Sequence, residues 1–340
     1  MIRGRPVDWR WLATVAVALN LAISVAWVAT FLLAGENLVR LRNSLGARVG
    51  EISDFTWPPT DPPAGFLTAG HPAPGSLAAA ADSAGARPGE DEPGAFAVGV
   101  ALSQDLMRAP KRVDGPINAT SDVTYRAIVE QGRGYCGDFV KAFTALSLAS
   151  GIPVRQWGFA FDGFGSGHTF NEVYDAQLRK WVMVDSFHSL YFVDPGSRMP
   201  LSTLEVHDRL LALGESPQGI EIVRIIPERV PFRTDELAMD YYRRGMSQLW
   251  LVWGSNVFDY EASFAGRVEA SVHRSVGQLL GILTDKYPTI RVYPAGMSRR
   301  DFRALMDARR EFLLAAAFLG ASCLFAVFVA VQLRRRPRPR

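Results

Sequence analysis

Two uncharged apolar runs near the ends of this 340-residue chain constrain it more than any other feature. Trp11 to Gly35 contains no charged residue, and neither does Phe312 to Leu333. A helix needs about 20 apolar residues to cross the hydrocarbon layer of a bilayer, so each run predicts a span. The first run exceeds the roughly 7–15 residues of a cleaved signal core. Its Leu32-Leu33-Ala34-Gly35 end also has Leu where a cleavage site wants a small residue, so it reads as an anchor. The N-terminal tail carries Arg3, Arg5 and Arg10 against Asp8, and five arginines follow Leu333. Basic flanks favour the cytoplasmic side. Both tails are therefore expected inside, and residues 36–311 outside, in a two-pass protein of a bacterial inner membrane. High Ala, Gly, Arg and Pro content agrees with that source.

The formal charge of +3 reflects these tails, and the segment between them is acidic overall. That balance argues against nucleic-acid binding, which needs a basic patch on the folded domain. The organisation expected is a basic tail (1–10), a span (11–35), a membrane-proximal helix with a Pro/Ala/Gly-rich linker (36–95), a folded domain (96–214), a further extracytoplasmic region (215–311), a second span (312–333) and an Arg-rich tail (334–340). The stretch from Trp57 to Gly94 holds eight prolines among many Ala and Gly, and reads as a tether that cannot fold alone.

Within the folded domain, Ser121 is expected to cap a helix over 122–130. A second helix over 137–150 carries Phe139, Ala142, Phe143, Leu146 and Ala149 at helical spacing. Strands follow over 154–161, 168–174 and 181–185. A hairpin loop of Asp175, Ala176, Gln177 and Leu178 would pair Tyr174 with Arg179 and set His168 directly opposite Asp185. Further on, 201–213 reads as a helix, 220–226 as a strand, 235–242 as a helix, and 268–287 as one amphipathic helix.

Cys136 lies in Gly132-Arg133-Gly134-Tyr135-Cys136-Gly137-Asp138-Phe139, at the start of the predicted second helix. The other cysteine, Cys323, lies inside a span, so no disulfide joins them. A helix N-terminus and a nearby imidazolium both favour a thiolate. His168 would serve as general base and acid, Asp185 would orient its imidazole, and helix-start N–H groups would face an oxyanion. Gln131, Tyr135 and Trp157 are wall or oxyanion candidates. Each residue alone has a plain structural reading: a small buried hydrophobe, a hydrogen-bonded histidine, a strand-end turn residue. Their combination, with an unpaired thiol on the oxidising side of a membrane, favours chemistry. Cys136, His168, His188 and Asp194 could also ligate zinc, but tight paired-ligand spacing is missing.

At these residues the chain resembles the transglutaminase-like superfamily of papain-type thiol enzymes. The resemblance rests on Gly-Tyr-Cys-Gly-Asp-Phe around Cys136, on Gly151-Ile152-Pro153-Val154-Arg155, on Gly167-His168 with Asn171-Glu172-Val173-Tyr174, and on Trp181-Val182-Met183-Val184-Asp185. Phe170 stands where many relatives have Trp, and Ser186 where many have Pro. The resemblance implies an α+β fold, with the Cys helix packed on an antiparallel sheet bearing His and Asp, here flanked by two membrane helices. It assigns the catalytic roles to Cys136, His168 and Asp185, with no cofactor and no metal. The expected function is a membrane-anchored thiol hydrolase or acyltransferase acting on a peptide or amide-bearing envelope substrate. The alternative is a catalytically silent scaffold with partners in an envelope or surface-polysaccharide assembly.

Overall fold

A computed structural model describes residues 9–33, 35–66, 70–85, 94–212, 219–255, 257–272 and 274–335. The tail residues Arg3, Arg5 and Asp8, the tail beyond Arg335 and the stretch 86–93 of the expected linker lie outside the described residues. Helix α1 (Trp9–Leu33) and helix α2 (Gly35–Gly46) lead into the short strand β1 (Ala47–Val49). Helices α3 (Gly75–Ser83), α4 (Ala95–Leu106), α5 (Ser121–Gln131) and α6 (Cys136–Ala149) come next. Strands β2 (Val154–Ala160), β3 (Gly167–Asp175), β4 (Lys180–Val184) and β5 (Leu190–Val193) precede α7 (Thr203–Ala212), β6 (Glu221–Arg224), α8 (Asp235–Met246) and β7 (Leu249–Trp253). The chain ends in α9 (Val257–Ala262), α10 (Phe264–Ser271), α11 (Arg274–Leu283), β8 (Thr289–Val292) and α12 (Arg299–Arg335).

The main sheet has the order β1-β8-β7-β2-β3-β4, and β5 pairs with β6 beside it. Only the β1–β8 pair is parallel. The sheet is covered on both faces, which explains why β3 is buried almost throughout. One face takes α3 to α6, where Phe139, Ala142, Phe143 and Leu146 form the apolar stripe read from the sequence, against Val154, Val173 and Val184. On the other face Trp157, Phe159, Phe170 and Met183 pack against α7 and α8. Close approach of α8 depends on Gly245, where a Cβ would lie 2.1 Å from the Phe159 ring.

Several expectations change. Tyr174 pairs with Trp181 rather than Arg179, so the hairpin register is two residues away from the one expected. The loop is 176–179: Arg179 takes a left-handed conformation (φ 52), and the Asp175 carboxylate accepts from the Leu178 N–H at 2.9 Å. His168 is therefore diagonal to Asp185 rather than opposite it. A slip of two preserves the face on which each side chain stands. Thr120, not Ser121, occupies the N-cap of α5. The helix expected over 268–287 is two helices, α10 and α11, with Gly277 of α11 crossing close to Glu269 of α10.

The stretch read as a free tether is partly folded onto the domain. Leu77 and Ala81 of α3 are buried in the α6 core. Trp57 is buried, and its carbonyl accepts from Trp181 Nε1 at 2.7 Å. The fully buried Arg155 donates to Phe55 O at 2.9 Å and to Glu172 at 2.6 Å. Likewise, the 96–214 and 215–311 segments share one sheet, since β7 and β8 extend it beyond β2. Helix α2 is docked too: Arg40 donates to Gly163 O, and Asn43 Nδ2 to Phe164 O at 2.8 Å.

Helices α1 and α12 are each long and apolar enough to cross a membrane. They pack together through a Ser24–Ser322 hydroxyl pair at 3.0 Å and through Trp27–Phe318 and Phe31–Phe312 ring contacts. The order of these contacts makes the pair antiparallel. With Cys136 and Cys323 replaced by Ala, a Ser24→Cys/Ser322→Cys variant in native membranes should form an intramolecular disulfide under mild oxidation. Failure to cross-link, with both thiols shown to be present, would refute this pairing.

Candidate active site

Cys136 is the first residue of α6, and the loop before it is held in a shape that requires glycine. Gly132 has φ 66, and a Cβ there would lie 1.8 Å from Lys111 O. A bridge between Val113 and Arg133 locks the same loop to the preceding segment. The first N–H groups of a helix have no intrahelical acceptor. Among the described residues no hydrogen bond from the Cys136 or Gly137 N–H is found, while Asp138 accepts from the Tyr135 N–H at 2.9 Å.

His168 starts β3 and is 2% exposed. Its Nε2 meets Asp185 Oδ2 at 2.5 Å. Cys136 lies near enough to His168 and Thr169 for both to act on its thiol. With Nε2 committed to Asp185, Nδ1 is the ring nitrogen that serves the thiol. The structure brings His168 and Asp185 together on a diagonal of the hairpin and places Cys136 at the first residue of α6.

Asp185 is completely buried at the end of β4, where it bridges to Leu190. Besides His168 it accepts from the His188 N–H at 2.9 Å and from the Tyr242 hydroxyl. His188 Nδ1 lies 3.0 Å from that hydroxyl and 3.3 Å from Asp185 Oδ2. Because Tyr242 gives its proton to the carboxylate, His188 Nδ1 is the donor to Tyr242. The His188 ring stacks on His168 with centroids 4.2 Å apart and planes 16° apart. Tyr242 is the residue that sequence reasoning missed in this cluster; His188, read as a zinc-ligand candidate, joins it through Asp185. Tyr242 sits on α8, far along the chain, and only its place on the apolar face of a helix is locally legible.

Burial raises the Cys136 thiol, but the hydrogen bond and charge of His168, with Thr169, outweigh it and bring the thiol below its ordinary range. Burial likewise opposes protonation of His168, yet the Asp185 charge and hydrogen bond, helped by the thiolate, push it up to about 10. Asp185 is held well below the usual carboxylate range: burial opposes this, and the two imidazoles overcome it. His188 is lowered, first by burial and then by the charge on His168, and stays neutral. These shifts favour negative charge on the thiol and positive charge on His168, over a buried carboxylate.

Other candidates are placed elsewhere. Trp157 is fully buried and gives its Nε1 proton to Glu172. Tyr135 is exposed at the N-cap of α6, and Gln131 is exposed at the end of α5. Asp194 pairs with Arg209 at 2.7 Å. His168, Asp185 and His188 offer ligand atoms within 4.8 Å of one another and could together hold a metal ion, but in this structure both rings turn to the Asp185 carboxylate.

Residues 105–186 match the family model described as the transglutaminase-like superfamily. The match contains Cys136, His168 and Asp185 and ends one residue past the aspartate, so the chain carries a transglutaminase-like domain in a mixed α+β fold. No curated protein and no solved structure matches the chain.

In the unfolded chain an imidazole titrates near about 6.5, whereas folded His168 titrates near 10. The stability it contributes is full below about pH 6.5 and is lost as pH rises through about 10. The gap in thermal midpoint between wild type and His168→Asn should therefore shrink between pH 6 and pH 10; a constant gap would contradict the pair. Tyr242→Phe removes a donor to a buried charge and should cost about 1.5–3 kcal/mol of stability. It should also slow iodoacetamide labelling of Cys136 at pH 6, which a purely structural role would leave unchanged.

Proposed function

We propose that this protein is a membrane-anchored thiol enzyme that cleaves an amide or peptide bond through an acyl-thioester. The observation that carries this reading is the buried His168–Asp185 pair, with Cys136 as the first residue of α6 and its thiol favoured in the charged form by His168. Thiolate Sγ attacks the carbonyl carbon, and the Cys136 and Gly137 N–H groups receive the developing oxyanion. The imidazolium of His168 gives its proton to the leaving amine as the C–N bond breaks, which leaves the thioester and a neutral imidazole. His168 then takes a proton from water as the hydroxide oxygen attacks the thioester carbon, and the C–S bond breaks to release the acid and restore the thiolate beside the imidazolium. Asp185 stays ionised and orients the ring throughout.

Water is the default acceptor, since among the described residues no cluster marks a second site for an amine. The antiparallel pairing of α1 and α12 and the basic flanks support a two-pass protein with this domain on the outer side of a bacterial inner membrane. An amide-bearing envelope component is the matching substrate.

Purified full-length protein, incubated with envelope extract and quenched in acid, should carry a hydroxylamine-labile adduct on Cys136. The adduct should be absent from Cys136→Ala. If wild type shows no adduct while its thiol still alkylates rapidly at pH 6, and Cys136→Ala supports normal growth at normal protein level, the domain is a scaffold for an envelope assembly and not an enzyme.

A further inference from the structure

A cavity of about 160 Å³ begins at Gly137 and Thr169, the neighbours of Cys136 and His168, on the face of the sheet that carries α6. Its far wall is α2, through Arg42, Asn43 and Gly46, together with Gln278 of α11. Trp250, Tyr260 and Tyr287 make much of its apolar surface.

Three cations and one carboxylate line this cavity: Arg42, Lys141 and Arg274 against Glu269. Two of the cations have acid partners. Lys141 Nζ lies 2.9 Å from Glu261, and Arg274 lies 3.2 Å from Asp138 and 3.9 Å from Glu269. Glu269 is in turn engaged by the Tyr260 hydroxyl at 2.6 Å. Arg42 differs. Its Nε and Nη2 donate to Asn43 Oδ1 at 3.2 and 2.9 Å, and its Nη1 to Gln278 Oε1 at 3.4 Å. Both acceptors are neutral amides, and no carboxylate pairs with Arg42 among the described residues. Three of its five N–H donors are used, and two remain. Asn43 and Gln278 are themselves buried, so the guanidinium is held by fixed groups. A half-buried guanidinium on a partly apolar wall, oriented and without a counter-ion, is built to receive one.

We infer that this cavity is the acyl-side subsite and that Arg42 binds a carboxylate there, so the substrate is an amide whose acyl portion carries a free carboxylate. The inference rests on the thiol-enzyme reading above, because only a reactive Cys136 makes the cavity an acyl site. The volume suits a unit about the size of one amino-acid residue, with an aliphatic or aromatic body against Trp250 and Tyr260 and its acid group at α2. Arg42 is a positioning residue here; it does not reach the bond that breaks.

The test uses full-length protein in nanodiscs and two series of thiol probes. Bromoacetyl-amino acids with one to five methylenes are compared with their primary amides, and labelling of Cys136 is followed by mass spectrometry at pH 6. At the best chain length the carboxylate probe should label about tenfold or more faster than its amide and should saturate, as expected for a charge-assisted hydrogen bond. Arg42→Gln should abolish that preference, and Arg42→Lys should keep part of it. Rapid neutral labelling with no carboxylate preference at any length, or a preference that survives Arg42→Gln, would overturn the subsite and leave the thiol reading intact. Slow labelling by every probe in wild type would overturn both. Should the Arg42 variants misfold, protection of the wild-type thiol by glutarate but not by glutaramide is the expected result, and equal protection or none would refute the subsite.

Discussion

A carboxylate shut away from water is costly by several kcal/mol unless donors surround it, and Asp185 is such a group. Its donors come from three places: the first residues of β3, the turn after β4, and α8. Each therefore has one position in which the charge is satisfied. The His168 ring is fixed by the same requirement, between the carboxylate and the flat face of His188. Cys136 at the α6 N-terminus then faces a ring already held in place. A second buried charge, Glu172, anchors the same strand from behind by accepting from Arg155, Trp157 and the Thr203 N–H. The two groups tie β3 to β2, to α7 and to the end of β4.

The parts of this arrangement that depend on local pattern could be read from the chain. Phe139 to Leu146 announce the Cys helix by spacing, and Gly132 and Gly134 announce a constrained loop before it. The hairpin was legible as a hairpin but not in its register. Asp175 looked like a loop residue because Asp favours turns, whereas it ends the strand and caps the loop with its side chain. Tyr242 carried no signal, because its contact with Asp185 spans 57 residues and its helix is amphipathic for ordinary packing reasons. The Pro- and Ala-rich stretch misled for a different reason. Leu77, Ala81 and Trp57 are too sparse to make a core of their own, yet each finds a place in the core of the domain.

The family match ends at residue 186, but the working surroundings of the thiol do not. Tyr242, Arg274 and the aromatic wall at Trp250, Tyr260 and Tyr287 all belong to the part of the chain after that match. Arg274 pairs with Asp138 in the first turn of the Cys helix, so this later segment also bears on the charge beside the nucleophile. A common Cys-His-Asp core is thereby given walls of its own.

Helix α2 leaves α1 after one residue and locks onto the loop at 163–164, β1 is hydrogen-bonded into the sheet, and Leu305 of α12 is buried against that sheet before the helix runs on into its apolar stretch. A body joined at three such points cannot swing on a leash. If α1 and α12 are seated in a bilayer, Cys136 is held at one altitude and one attitude above the lipid. For a thiol enzyme so placed, the search would be two-dimensional: molecules that drift along the membrane at that height would meet the cleft, and those that pass overhead would not.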